Sequence, residues 1–406
     1  MFYGWRMVGV AFGAQMVASG LGFYALPRLL QPLADEFASG ARAEVAALTA
    51  AMSLPGIVVG PAVGRAVARY GVRRMMPVGA LAMAAGFAAL TQATALWHFY
   101  AVYVLAVPFA VGTLSSVGAN ALVGSWFDRK RPIAIGVSQF GMSIAGAVCV
   151  FFISWTLGIG GWRTSYLGFA LVAAVSAPLL FLLIRDRPED LGLHADGAAA
   201  PRPTPVHHGD WTLREALRDR NLWYAGVASG LCFFGSTGIL QNAHALASDG
   251  GYSTGQADTL LATLALGAAL GKLVFGWLGV RFGERASFSI AIAAQTALLA
   301  AMPSTQEVYA GLISSGLGLG MALGGIMPGL SALLARLYGA VRFGPAMGYV
   351  APIMIPFQMS GAFVAARIFD TTGSYDGAFY GFAIAGVAAG TLVLRIRFPS
   401  ASAPND

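Results

Sequence analysis

Two basic residues stand inside long apolar stretches, where a charge is costly. Lys272 lies in the middle of "ATLALGAALGKLVFGWLG", and Arg28 lies in "GLGFYALPRLLQPLADEF". Because an ionisable group at membrane depth is expensive, we expect Lys272 to contact a substrate or an ion, with pairing to backbone carbonyls as the alternative. The guanidinium of Arg28 can clamp a carboxylate through two hydrogen bonds. Its alternatives are a rim salt bridge with Asp35 or Glu36 and a side chain that reaches the membrane surface. The two residues predict a site for an anion.

Polar side chains in other apolar stretches could complete this site. Amides and phenols hydrogen-bond carboxylates and hydroxyls, but they also join one membrane helix to another. The candidates are Tyr24, Asn120, Gln139, Asn242, Tyr349 and Gln358. His244, near the end of an apolar stretch, is a candidate for a gate or a proton-linked role, with a plain interfacial histidine as the alternative. Lys272 is the second proton-linked candidate, because desolvation favours the neutral amine in an empty carrier.

The carboxylates are placed differently from these cations. All 18 acidic residues fall in connections or at the ends of apolar stretches. The sequence therefore predicts no carboxylate at mid-membrane depth that could relay protons or neutralise Lys272. A centre that holds cations without anions favours a small organic anion as the substrate.

The elements that must position these residues are membrane helices. The chain is 57% hydrophobic and only 11% charged, whereas soluble proteins carry about 25% charged residues. Its apolar runs are long enough to cross a bilayer, which takes about 20 residues, and they predict an all-α integral membrane protein with twelve transmembrane helices. We place these helices near residues 8–34, 45–68, 75–95, 98–126, 132–157, 164–184, 221–247, 256–280, 286–303, 307–336, 343–368 and 376–395.

The positions of the basic residues predict the orientation. Most of the 25 lysines and arginines fall on one side of the membrane if both termini are cytoplasmic. The exceptions are Arg28 and Lys272 within the spans, and Arg42, Arg163 and Arg367 on the outer side. Cytoplasmic connections of membrane proteins are enriched in lysine and arginine. We therefore predict a multi-pass protein of a bacterial-type inner membrane with cytoplasmic termini. The net charge of +7 reflects this topology, and no nucleic acid is expected as a partner.

The chain repeats itself at an interval of 212 residues. "GRAVARYGVRR", from Gly64, aligns with "GWLGVRFGERA", from Gly276, and the same shift carries Gly136 onto Gly348. A parallel internal repeat is typical of transporters built from two six-helix halves. We predict a six-helix bundle over 1–184, a cytoplasmic linker over 185–220, a second six-helix bundle over 221–396 and a cytoplasmic tail over 397–406.

The repeated motif resembles the signature of the major facilitator superfamily, which lies between the second and third helices. It departs from that signature at Ala68, where an aspartate is usual, so the acidic partner of the motif is missing at this position. The resemblance implies the MFS fold of two six-helix bundles. It also implies that both copies of the loop control the conformational change, through Arg69, Gly71, Arg73, Arg281, Gly283 and Arg285.

Three further motifs resemble the branch of monocarboxylate porters and oxalate:formate antiporters: "GSWFDRKRPIAIGVSQFGMSIAG", "GWRTSYLG" and "RDRPEDLGL". Those porters carry a cation after an aromatic-x-x-Pro pattern, as Arg28 stands in "FYALPR", and another cation four residues before a glycine, as Lys272 stands before Gly276. Proton-coupled members have an aspartate where this chain has Ala268. Oxalate:formate antiporters have a lysine in the eleventh helix that this chain lacks, which argues against a dicarboxylate substrate.

These observations predict a secondary active transporter that moves a small, monocarboxylate-like organic anion by alternating access, either as a proton-linked symporter or as an antiporter. One alternative is an efflux pump for hydrophobic drugs, and another, of a different class, is a non-transporting nutrient sensor. No enzyme activity, catalytic residue, cofactor or metal is expected. Protons and membrane lipids are the other expected partners of a monomer.

Overall fold

The computed structural model describes residues 2–37, 48, 51, 55–115, 117–198 and 213–398. These residues form helices and connections, with no β-strand among them. Helices are the expected form of the apolar runs, because a membrane helix satisfies its backbone hydrogen bonds internally. Within the described ranges, nine helices are long and apolar enough to cross a membrane.

The helices are numbered here in chain order. They are α1 (Gly4–Ser19), α2 (Ala25–Phe37), α3 (Gly56–Tyr70), α4 (Val72–Leu90), α5 (Leu96–Leu114), α6 (Gly118–Trp126), α7 (Arg131–Leu183), α8 (Leu213–Arg218), α9 (Arg220–Asp249), α10 (Thr254–Phe282), α11 (Glu284–Thr305), α12 (Tyr309–Thr372) and α13 (Asp376–Arg395). A π-helical turn (Gly20–Tyr24) joins α1 to α2, and two short 3-10 turns (Pro188–Leu191 and Ala195–Gly197) follow α7.

The two longest helices are each broken at glycine. α7 has non-helical backbone at Gly160 and Gly161, where Gly161 has a φ of 71°, and α12 has a break at Gly339, with a φ of 67°. Glycine tolerates positive φ because it lacks a Cβ atom. Each break falls between two predicted spans, so each long helix accounts for two of the twelve. Of the second predicted span, 45–68, the part from Gly56 onward is described as α3.

The chain divides into two compact units. The first holds the described residues up to 198 together with 340–349, and the second holds 213–339 together with 350–398. In the first unit, α7 packs against both α1 and α4. In the second, α9 and α11 both pack against α13. The predicted domain boundaries at 184 and 221 stay a prediction.

Aromatic side chains fill the interior of each unit. In the first, the hydroxyls of Tyr103 and Tyr166 lie 3.1 Å apart, and Phe87 packs on Tyr166 with ring centroids 5.7 Å apart. In the second, Phe234 meets Phe382 edge to face at 4.8 Å. Such tilted and edge-to-face pairs are the preferred geometry of aromatic rings. Packing of this kind holds membrane helices together, because lipid gives no hydrophobic drive for their association.

A glycine stripe brings the short segment 340–349 against α3 in the first unit. A Cβ atom built on Gly348 would lie 2.5 Å from the carbonyl oxygen of Gly60, and one built on Gly64 would collide with the carbonyl of Gly344. Side chains larger than hydrogen do not fit here, so the stripe serves close backbone packing.

The first part of the predicted linker is attached to the first unit. The carboxylate of Asp196 accepts hydrogen bonds from the successive backbone N–H groups of Asp128, Arg129 and Lys130. These groups precede α7, and a carboxylate is favourable at the start of a helix. The linker between 199 and 212, with its adjacent histidines, lies outside the described residues. The described part of the linker after residue 212 begins with the short helix α8.

Candidate functional site

Lys272 lies in the interior of α10, at a half-buried position of the second unit. A capping box starts this helix: the Ser253 N–H donates to Gln256 Oε1 at 2.9 Å, and the Gln256 N–H donates to Ser253 Oγ at 3.4 Å. The helix ends at Gly283. Lys272 therefore sits within a regular helix, as predicted, with Gly276 one turn further on.

The helix that carries Lys272 is held tightly against the first part of α12. A Cβ atom on Gly320 would collide with the carbonyl of Leu264, and one on Gly324 would collide with the carbonyl of Ala268. From the other side, a Cβ on Gly271 would meet the Met321 carbonyl. This row of glycines fixes the rotation of α10 about its axis, and thus the direction in which Lys272 leaves the helix.

The carboxylates of the second unit lie at the ends of its helices. Those in the described part are Glu215, Asp219, Asp249, Asp258, Glu284, Glu307, Asp370 and Asp376. Asp219 caps α9, and Glu284 opens α11 and pairs with Arg336 at 2.7 Å. These positions agree with the prediction that acidic residues lie in connections or at the ends of the apolar stretches. Between Asp258 and Gly283, α10 carries basic groups and no acidic one.

Asn242 and Gln358 lie where α9 meets the second part of α12. The Asn242 amide donates to the carbonyls of Gly238 (2.9 Å) and Ala362 (3.2 Å). The Thr237 hydroxyl donates to the Gln358 carbonyl at 2.9 Å. At Asn242 the structure thus has the helix-joining arrangement that the sequence left as an alternative. A role of either side chain in substrate binding stays a prediction.

In the first unit, the structure brings two predicted residues together. Gln139 Nε2 donates to Asn120 Oδ1 at 3.2 Å, and both side chains are buried. A second buried polar group, which the sequence analysis did not select, joins α1, α7 and the residue that follows α5. Gln15 Nε2 donates to the Ser138 hydroxyl at 3.1 Å, and the Ser115 hydroxyl donates to Gln15 Oε1 at 3.5 Å. A glutamine within an apolar run was the available signal for it.

The backbone just before Arg28 departs from a regular α-helix. The π-helical turn at Gly20–Tyr24 comes just before Pro27, which lacks an N–H and cannot bond the carbonyl one turn earlier. Such π turns are frequent at functional sites. Tyr24 closes this turn and is 42% exposed. The side chains of Arg28 and His244 lie outside the described part, so their predicted roles stay predictions. Tyr349 is buried at the end of the segment in the first unit.

One of the two acidic residues offered as a rim partner for Arg28, Glu36, is engaged by another arginine. Glu36 accepts hydrogen bonds from Arg163 Nη2 at 2.7 Å, from Arg163 Nη1 at 3.2 Å, and from Trp162 Nε1 at 2.6 Å. The hydrogen bond from Arg163 is the main cause that holds the pKa of Glu36 below its ordinary value of 4.5. Trp162 and Arg163 belong to the motif "GWRTSYLG", so this motif clamps the end of α2 to α7.

The two copies of the signature loop have the same backbone. Gly71 has φ 81° and ψ 158°, and Gly283 has φ 90° and ψ 157°. Each glycine ends one helix and starts the next, and its N–H bonds the carbonyl four residues earlier at 3.0 Å. This part of φ/ψ space is almost restricted to glycine. The repeat found in the sequence is therefore present in the backbone as well.

Asp186 is a residue that the sequence analysis missed. Its carboxylate accepts the backbone N–H of Arg73 at 2.8 Å, at the start of α4 and beside Gly71. The Arg73 guanidinium donates to the Phe181 carbonyl at 3.1 Å. The loop with Ala68 thus has an acidic partner after all, supplied from the end of α7. In the sequence, Asp186 is one of several charged residues at the start of the predicted linker.

Comparison with known proteins identifies the family. A family model described as Major Facilitator Superfamily matches residues 1–253 and 225–406, which together cover the chain. The chain belongs to this superfamily. Its motifs and its relatives place it near the monocarboxylate branch, as predicted. Membership also means that this is a multi-pass membrane transporter, which confirms the coarse functional prediction.

Several relatives of this MFS transporter carry monocarboxylate names. Monocarboxylate transporter 13 of Bos taurus is 26% identical over 365 residues, covering 86% of this chain and 79% of that protein. Monocarboxylate transporter 2 of Homo sapiens is 23% identical over 397 residues, covering 92% of this chain and 81% of that protein. A probable nitrate/nitrite transporter of Mycobacterium tuberculosis is 28% identical over 339 residues, covering 80% of each.

Solved structures confirm the MFS fold with its twelve transmembrane helices. The E. coli fucose:proton symporter superposes with a TM-score of 0.75 at 16% identity, covering 98% of this chain and 100% of that one. The human organic anion transporter MFSD10 superposes with a TM-score of 0.73 at 17% identity, covering 96% of this chain and 99% of that one. At these identities the likeness concerns the fold alone.

Proposed function

We propose that this transporter moves a small, monocarboxylate-like organic anion by alternating access, with a proton or by exchange. Lys272 would hold the carboxylate from the second half, and Arg28 would hold it from the first. Tyr24, Asn120, Gln139, Asn242, Tyr349 and Gln358 are the proposed hydrogen-bonding partners. Lys272 and His244 are the proposed proton-linked groups.

The observation that carries the proposal is the setting of Lys272. It lies in the interior of a helix whose rotation is fixed by glycine packing, while the carboxylates of the described second unit lie at helix ends. A cation in the interior of a membrane helix costs free energy on insertion, and such residues mark substrate and ion sites. An ionised carboxylate offers an ammonium group a strong, charge-assisted hydrogen bond.

The names of relatives support the same class of substrate. Monocarboxylate transporters recur among them, and the nitrate/nitrite transporter is also named for anions. The basic connections support an orientation with both termini in the cytoplasm of a bacterial-type cell. The loops at Gly71 and Gly283, with Arg69, Arg73, Arg281 and Arg285, are the proposed control points of the conformational change.

The test is uptake into proteoliposomes of radiolabelled lactate, pyruvate and acetate by purified protein. Lys272→Ala should lower the initial rate by at least about 30-fold, because removing one partner of a desolvated charge pair costs about 2 kcal/mol or more. Lys272→Arg should retain part of the rate. Lys130→Ala removes the other lysine of the chain from an exposed connection and should transport like the parent.

Coupling is read from the same vesicles. Uptake driven by an inside-alkaline pH gradient would indicate proton symport, whereas uptake that requires internal monocarboxylate would indicate exchange. If Lys272→Ala transports like Lys130→Ala, the lysine site is wrong. If no carboxylate is moved while lipophilic cations are, the efflux alternative replaces the proposal.

A further inference from the structure

In both halves, the guanidinium of the equivalent arginine bonds a backbone carbonyl at the end of another helix. In the described residues, only the first half also has a carboxylate that accepts the backbone N–H of this arginine. In the first unit the Arg73 guanidinium bonds the Phe181 carbonyl near the end of α7. In the second unit Arg285 bonds the Leu394 carbonyl near the end of α13. The repeat interval of 212 residues carries Arg73 onto Arg285, and it carries Asp186 onto Phe398. The residue at the equivalent position of the second half is therefore apolar and supplies no carboxylate.

A cavity of about 880 Å³ lies at this place in the second unit. It is formed where α9 and α11 begin and where α13 ends. Four arginines line it: Arg220, Arg285, Arg395 and Arg397. Guanidinium groups offer planar forks of N–H donors that match carboxylate and phosphate oxygens. The cavity therefore has the donor set of an anion site.

The acidic residue on the cavity wall is already engaged. Asp219 Oδ1 accepts the Asn221 N–H at 2.8 Å, and Asp219 Oδ2 accepts the Tyr338 hydroxyl at 2.9 Å. No ion pair joins Arg220, Arg395 or Arg397 to a carboxylate within the described ranges. The cavity thus keeps an excess of positive charge.

The arginines are attached to an ordered frame. Asn221 Nδ2 donates to the Arg397 carbonyl at 2.9 Å, and the Arg397 N–H donates to Asn221 Oδ1 at 3.0 Å. This pair fixes the backbone after α13 to the start of α9. The Arg285 N–H, the counterpart of the Arg73 N–H that Asp186 accepts, has no hydrogen-bond partner in the part of the chain that is described. An oxyanion bound in the cavity would be an acceptor for this N–H group.

An exposed apolar face leads along α13 to these arginines. Tyr380, Ile384, Val387 and Leu394 are 52%, 72%, 59% and 64% exposed, and they lie on the side of the helix that ends at Arg395. Their spacing of three, four or seven residues keeps them on one helix face. Such a face suits acyl chains, and the basic cavity at its end suits the phosphate that joins those chains to a headgroup.

We propose that this cavity, lined by Arg220, Arg285, Arg395 and Arg397, binds the phosphate of an anionic phospholipid. The lipid phosphate replaces in the second half the carboxylate that Asp186 supplies in the first. The proposal goes beyond the proposed transport function, and its test does not use transport.

The test measures thermal unfolding of the purified full chain in a neutral detergent, titrated with short-chain ligands. Dihexanoyl phosphatidylglycerol should raise the melting temperature, and dihexanoyl phosphatidylcholine at the same concentration should do so far less. Arg395→Ala with Arg397→Ala should weaken phosphatidylglycerol binding by about 30-fold, which corresponds to about 2 kcal/mol for two basic residues at a membrane surface. Arg129→Ala with Lys130→Ala removes two exposed charges from the first unit and should leave the titration unchanged.

Three outcomes overturn the proposal. The first is equal stabilisation by phosphatidylcholine and phosphatidylglycerol. The second is inorganic phosphate giving the whole effect, which would assign a free phosphate site instead. The third is unchanged binding by the alanine pair. If the alanine pair fails to fold, Arg395→Gln with Arg397→Gln removes the charges while keeping polar side chains, and the same criterion applies to it.

Discussion

Gly71→Ala should destabilise the protein far more than Gly283→Ala, although the two glycines have almost the same backbone. Both substitutions place a Cβ atom in a region of φ/ψ space that costs about 1–3 kcal/mol for any residue other than glycine. At Gly71 the added Cβ would also lie 2.6 Å from Asp186 Oδ2, whereas at Gly283 its nearest neighbour, Arg336 Nη1, would be 3.9 Å away. Gly71→Ala must therefore also displace the carboxylate that accepts the Arg73 N–H.

The extra cost is that of a charge-assisted hydrogen bond, about 1.5–3 kcal/mol, and the lower end applies because Asp186 is half-buried. For a unit of roughly 200 residues, 1 kcal/mol shifts the melting temperature by about 2–4 °C, so Gly71→Ala should melt at least about 3 °C below Gly283→Ala.

The assay is thermal unfolding in detergent, followed by intrinsic tryptophan fluorescence, on the parent, both alanine variants, Asp186→Ala, and Gly71→Ala combined with Asp186→Ala. In the Asp186→Ala background, Gly71→Ala should cost only the backbone strain, and thus as much as Gly283→Ala costs in the parent. Equal melting temperatures for the two single glycine variants would refute the reasoning. So would a cost of Gly71→Ala that stays the same with and without the carboxylate.

Two further predictions concern packing and pH. Gly324→Ala places a Cβ against a backbone carbonyl that cannot move aside, and it should lower the free energy of unfolding by about 1–3 kcal/mol. Gly381→Ala places a Cβ on an exposed helix face with nothing within 4 Å, so it should be neutral or slightly stabilising. The melting temperatures of the two variants test this difference. The lowered pKa of Glu36 means that its contribution to stability is present above pH 4.5 and is lost as the pH falls through the lower, folded-state pKa. Between pH 5 and pH 3 the melting temperature of the parent should therefore fall further than that of Arg163→Ala. An equal fall in melting temperature for both proteins would contradict this.

Much of the architecture could be predicted from the sequence, because lipid imposes a simple rule. Backbone groups in hydrocarbon must be bonded within the segment, so each apolar run becomes a helix. Breaks at Gly161 and Gly339 fall where the runs end, and Gly71 and Gly283, found as a repeat, have matching dihedral angles. The depth of Lys272 in its helix was also predictable, since depth along a helix follows from position in the chain.

The partners of the polar residues were not predictable in the same way. Asp186 is 113 residues from Arg73 along the chain, and although it lies in the motif "RDRPEDLGL", nothing in that motif indicates which group its carboxylate contacts. Asn120 and Gln139 were chosen separately as candidates, and only the packing of α6 against α7 showed that they bond each other. The group formed by Gln15, Ser115 and Ser138 was missed: the glutamine in its apolar run was a signal, but nothing in the sequence indicated that the two distant serines are its partners.

The sequence by itself thus determined that the chain is helical, that it repeats, and that Lys272 lies in the interior of its helix. These properties depend on hydrophobicity, charge and spacing, which act locally along one helix. Only the tertiary structure decided that Asp186 completes the first loop while the second keeps a basic cavity, and that glycines set the rotation of the helix with Lys272. Those contacts depend on how backbones distant in the chain approach each other within a few ångströms, and local propensity carries no information at that range.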